Sequence, residues 1–73
     1  MKRSTQTKEY TKFTERLREA RTEAGLTQVQ VAKKLKRPQS YLSNIEAGQQ
    51  RVDVVELQKF AKLYKKDVTY FFK

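Results

Sequence analysis

GLTQVQVAKKLKRPQSYLSNIEAG, Gly25 to Gly48, reads as two short helices joined by a sharp turn, with a glycine at each end. Thr27 is placed to cap the first helix, because Gln30 follows three residues later and completes a T-x-x-Q capping box. Leu26 and Val31 then occupy the two positions of a hydrophobic staple. Val31, Ala32 and Leu35 share one face at helical spacing. Lys36 and Arg37 form the turn. Pro38 suits the start of the second helix, where a missing N–H costs nothing. Leu42 and Ile45 point inward, and Gly48 suits a left-handed residue just past the helix end. Gln39, Ser40, Tyr41, Ser43 and Asn44 remain on the outer face. They donate and accept hydrogen bonds and include no carboxylate, which is the chemistry that reads base edges in a major groove.

The rest of the chain frames this unit. With 73 residues one domain is the ceiling. Hydrophobic content of 37% supports a small helical core. Cysteine and histidine are absent, which excludes disulfides and the usual zinc sites. No apolar run has the length of a membrane span or signal peptide, so the expected location is cytoplasmic. The formal charge of +9 favours a polyanionic partner. Charge alone is equally well met by a solvated, merely soluble surface.

Residues 1–9 are polar without apolar periodicity and read as a flexible basic arm. A solvated tail is the favoured reading of Lys2, Arg3 and Lys8; the alternative is contact with a phosphate backbone or a minor groove. The first helix is expected from about Tyr10 to Ala24, with Phe13, Leu17, Ala20 and Ala24 on one face. Its other face is a charge ladder that includes Glu15, Arg18, Glu19 and Glu23. After a polar loop, Gln49-Gln50-Arg51, Asp53 and Glu56 make a second capping box with Val52 and Leu57 as its staple. The helix that follows carries Val54, Leu57, Phe60, Ala61 and Tyr64 inward and is expected to end near Lys65. Asp67 can cap a short last helix over Val68 to Phe72.

The segment resembles the helix-turn-helix of the Cro and phage-repressor family. The residues that carry the likeness are Gly25-Leu26-Thr27-Gln28, Val31-Ala32, Leu35, Gln39-Ser40, Leu42-Ser43, Ile45-Glu46 and Gly48. It continues through Val52-Asp53-Val54-Val55-Glu56-Leu57 and covers about residues 10 to 72. One departure is Lys36, where many members have glycine; Lys65 is another such place. The resemblance implies an all-α fold, a compact five-helix bundle of the lambda-repressor-like kind, over residues 10–73. It also implies that Arg21 pairs with Glu46, against the alternative of two independent surface charges.

In helix-turn-helix proteins the N-terminal residues of the second helix meet the bases. That gives Gln39, Ser40 and Asn44 as readers, with Ser43 and Tyr41 nearby; for each, a polar side chain on a solvated face is the alternative. Gln28 and Thr27 fall where the first helix of the motif faces a phosphate. Lys33, Lys36, Arg37 and Arg51 are the cations at the edges of the footprint, whereas Lys34, Lys59 and Lys62 read as solvated lysines. Nothing supports catalysis: no nucleophile and base pair is recognisable, and Gly25 and Gly48 are the only glycines. No cofactor or metal is expected.

The expected function is a sequence-specific regulator of transcription that binds double-stranded DNA, most simply a repressor. The alternative is an antitoxin-type module that binds a toxin protein as well as DNA. Val68, Tyr70, Phe71 and Phe72 are the candidates for a two-fold interface. One of the adjacent phenylalanines would remain outside a small core, and the homodimer would demand a palindromic operator. A monomer whose last turn seals the core is the competing expectation.

Overall fold

The computed structural model describes residues 7–72. Helix α1 spans Lys8–Glu23, α2 Gln28–Leu35, α3 Gln39–Glu46 and α4 Val54–Tyr64; a 3-10 turn, Val68–Phe72, follows. Among the described residues there is no strand. Among the described residues the bundle therefore has four α-helices and a terminal 3-10 turn, where five helices were expected. The final five-residue segment closes early: Tyr70 N–H bonds the Asp67 carbonyl at 2.9 Å, three residues back. Asp67 does cap it, its side chain accepting from the backbone N–H and the hydroxyl of Thr69 at 3.0 Å each.

Local signals set the starts. Thr7 caps α1, accepting from Tyr10 N–H at 3.1 Å, so the helix begins at Lys8 and not at Tyr10. Lys8 and Glu9, assigned above to the arm, are thus helical, and the remainder of the arm up to residue 6, with Lys2 and Arg3, lies outside the described residues. The Thr27 box is complete: Gln30 N–H reaches Thr27 Oγ1 at 3.1 Å, and Gln30 Oε1 accepts from Thr27 N–H at 2.9 Å. The second box is half made. Asp53 accepts from Glu56 N–H at 2.8 Å, while the Glu56 carboxylate turns to Arg37 at 3.3 Å and Lys59 at 3.6 Å. Pro38 is the residue just before α3, not its first helical residue.

All four helices end alike. A residue of positive φ follows each: Gly25 at 74°, Lys36 at 58°, Gly48 at 79° and Lys65 at 58°. Each ending carries the paired bonds of a Schellman motif, for example Gly48 N–H to Ile45 and Gln49 N–H to Asn44. At Lys36 and Lys65 a side chain bears a conformation that costs an L-residue about 1–2 kcal/mol.

The core lies where α1 crosses α3, α4 and the terminal turn. Leu17, Ala20, Val31, Leu42, Ile45, Phe60 and Phe71 are almost fully buried. Ala24 and Val54 are exposed, contrary to the faces read from spacing. Ala24 stands at the end of α1, and Val54 in the open first turn of α4. Thr14 is buried instead, its hydroxyl donating to the Thr11 carbonyl at 2.9 Å.

Candidate nucleic-acid interface

The outer face of α3 presents Gln39, Ser40, Ser43 and Asn44, all exposed. The acid of α3 points the other way. Glu46 lies under the helix with its side chain 2% exposed. Arg21 meets it with a fork, Nε donating to Oε2 at 2.7 Å and Nη2 to Oε1 at 3.1 Å. Arg21 Nη1 also donates to the Leu26 carbonyl at 2.9 Å, which fastens the end of α1 to the start of the motif. Buried charge is tolerated when both partners are fully bonded in this way. The surface left on α3 is polar and uncharged.

The same carboxylate orients the start of α2. Gln28 Nε2 donates to Glu46 Oε1 at 3.0 Å. Gln39 Nε2 then stands 3.5 Å from Gln28 Oε1, at the outer limit of a hydrogen bond. A chain of contacts thus runs from Arg21 in α1 through Glu46 and Gln28 to the first residue of α3. Thr27 uses its hydroxyl for capping.

Arg18 joins this edge at 3.9 Å from Glu46, with most of its side chain exposed. It was read above as part of the charge ladder on α1. Its position three residues before Arg21 puts it on the same side of the helix, and that spacing was the signal available. Arg16, not Arg18, makes the ladder pair, with Glu19 at 3.6 Å.

The cations are not equivalent. Lys33 and Lys36 are exposed. The Arg51 guanidinium lies 5.1 Å from the centre of the Tyr10 ring. Tyr10 also donates its hydroxyl to the Gln50 carbonyl at 2.8 Å, so α1 supports the loop that carries Arg51. Arg37 is engaged elsewhere: it covers the Tyr41 ring at 4.5 Å and pairs with Glu56. Tyr41 is half-buried and turned towards α4 rather than lying on the open face with Gln39 and Ser40. Burial, and then the neighbouring Glu56 carboxylate, push its phenol up to about 12. Lys59 is exposed to solvent and also lies 3.6 Å from the Glu56 carboxylate.

The expected assembly surface is divided by the fold. Phe71 is 1% exposed and packs edge-on against Phe13, so it belongs to the core and not to an interface. Phe72 is 66% exposed, although its ring stacks on Phe13 at 5.7 Å. Val68 and Tyr70 are half-buried. Tyr70 lies between Arg16 and Lys66, whose charges stand 5.3 and 4.6 Å from its ring centre.

Among the described residues no cluster of acids could hold a metal ion, and no helix is long and apolar enough to cross a membrane. A family model described as helix-turn-helix matches residues 17–71, well over half of the chain. Among curated proteins none matches.

Proposed function

The chain belongs to the Cro- and repressor-like helix-turn-helix family, a family of DNA-binding transcription regulators, and from that premise we propose that it is a repressor that reads a specific duplex sequence through α3. One observation carries this reading. The exposed face of α3 holds Gln39, Ser40, Ser43 and Asn44, while its carboxylate, Glu46, is withdrawn beneath the helix. An acid on that face would meet phosphates and base acceptors with repulsion. Amides and hydroxyls can satisfy base edges, and Gln39 or Asn44 can bond adenine at two atoms.

In this reading Gln39, Ser40 and Asn44 contact bases, with Ser43 beside them. Gln28, Thr27, Lys33, Lys36 and Arg51 contact the phosphate backbone, and Arg18 is added at the same edge. Phosphate contacts set register and base contacts set preference. A net charge of +9 supplies the long-range attraction. The protein acts as a two-fold dimer on a palindromic operator, with Phe72, Val68 and Tyr70 at the contact. By occupying that operator it excludes polymerase.

The test is footprinting on the DNA that flanks its own gene, followed by a salt titration of binding to the protected duplex. A protected palindrome and a steep negative log–log slope are expected. Binding without sequence preference at any salt concentration, or co-purification of a small protein that abolishes DNA binding, would overturn the repressor reading.

A further inference from the structure

Glu56 occupies the last position of a capping box but does not act as one. Its backbone N–H is held by Asp53, yet its carboxylate points away from the helix start. The residue is 6% exposed. Oε2 is shared by Arg37 Nη2 at 3.3 Å and Lys59 Nζ at 3.6 Å. Oε1 is buried without a partner at hydrogen-bond distance among the described residues, and the Tyr41 phenol faces the same carboxylate. A buried acid with one oxygen unsatisfied is costly, and a turn to the surface would relieve it. What holds it inward is the group it faces.

That group comprises Arg37 and Tyr41. Arg37 sits in the turn between α2 and α3, and its N–H closes the Schellman motif on the Ala32 carbonyl at 2.9 Å. The centre of its guanidinium stands 4.5 Å from the centre of the Tyr41 ring. Tyr41 is in the first turn of α3, one residue after Ser40 and two after Gln39. The stack therefore joins the turn, the reading end of α3 and the first turn of α4. A planar guanidinium can lie over a ring and hold a carboxylate through its edge at the same time.

We propose that Glu56 is a positioning residue for base reading: it fixes Arg37 over Tyr41, so that Arg37 is a strut between the turn, α3 and α4 and not a backbone cation. This rests on the DNA-binding reading above and refines it. The Arg37 side chain is 45% exposed, so its charge still faces solvent, but its hold on Glu56 and Tyr41 keeps the guanidinium from extending to a phosphate. Fixing the first turn of α3 holds Gln39 and Ser40 in register, where a small misplacement loses a bidentate contact.

The test compares salt slopes and discrimination on two probes, the footprinted duplex and a scrambled duplex of the same length. Arg51→Ala is the reference and should lower the slope by about one. Arg37→Ala should leave the slope unchanged, yet reduce the preference for the footprinted duplex by about tenfold, the scale of one lost base contact. Glu56→Gln should reduce preference similarly and steepen the slope by about one, because Arg37 is released to a phosphate. Adding Arg37→Ala to Glu56→Gln should remove that increment. An Arg37→Ala slope lowered as much as that of Arg51→Ala would overturn the strut. So would Arg37→Ala with full preference. Should Glu56→Gln fail to fold, the two results with Arg37→Ala alone still decide. If neither duplex is bound, the DNA-binding reading fails by itself. The strut is then judged in the free protein, by an unfolding cycle of Arg37→Ala with Tyr41→Leu; additive losses would overturn it.

Discussion

Arg21 and Glu46, 25 residues apart in the chain, meet through two hydrogen bonds of 2.7 and 3.1 Å, and the Glu46 carboxylate also accepts from Gln28. One buried acid thereby ties α1 to both helices of the motif. It also clears negative charge from the face of α3. Stability and function converge on this group, and they can be separated by measurement.

The first expectation is energetic. The Arg21 side chain is 14% exposed and that of Glu46 is 2% exposed. Removing one partner strands the other, at a cost of about 3–5 kcal/mol. Urea unfolding of Arg21→Ala, Glu46→Ala and the double variant should show strong coupling. Additive losses would mean that the two groups act independently.

A second expectation concerns the left-handed lysines. Lys36 and Lys65 both have φ near 58°. Glycine there removes the strain of about 1–2 kcal/mol but makes the unfolded chain freer by about 0.4–1 kcal/mol. Lys36→Gly and Lys65→Gly should each raise the melting temperature by a few degrees, about 0.5–1 kcal/mol in stability. Lys65→Gly is the cleaner case, because it lies far in sequence from α3. A lower melting temperature for both would show that the lysine side chains contribute contacts worth more than the strain.

Readout divides the interface. Gln39→Ala should cost about 1–3 kcal/mol at one base position and relax preference there. Arg51→Ala should weaken all duplexes alike and lower the salt slope by about one. Binding measured against a set of operators with single substitutions separates the two patterns. Unchanged preference and affinity in Gln39→Ala would remove α3 as the reader.

Alkaline pH offers a probe of the contact between Tyr41 and Glu56. Burial and the carboxylate raise the Tyr41 phenol from 10.0 to about 12. A folded-state value above the unfolded one means that the contribution to stability is fully present below pH 10 and is lost as pH rises through 12. Unfolding measured across that window should show a steeper loss for the wild type than for Tyr41→Phe. Equal slopes would place Tyr41 in an environment no different from that of the unfolded chain.

The proposed two-fold assembly is tested at Phe72. Its 66% exposure leaves a large ring in water beside the half-buried Val68 and Tyr70. Analytical ultracentrifugation should find a dimer for the wild type on a palindromic duplex, with recognition helices about 34 Å apart. Phe72→Ser should weaken the dimer and bind cooperatively no longer. A wild type that binds one to one at a non-palindromic site would refute the two-fold arrangement.

The sequence by itself determined where α2 begins, where α1 and α3 end, and which side of α3 is polar. Thr27 with Gln30, Gly25 and Gly48 act within three to five residues of themselves, so their geometry is written in local spacing. The start of α1 was equally local, in Thr7 and Tyr10, although no apolar pattern drew attention to it. Only the tertiary structure decided which of Phe71 and Phe72 enters the core, since adjacent residues on a short turn point apart and the available space is set by Phe13. It also decided the fate of Glu56. Local spacing assigned that carboxylate to Asp53, three residues away. Arg37, 19 residues away in sequence, won it instead, because a cation across the fold is a stronger partner for a buried acid than a neutral N–H.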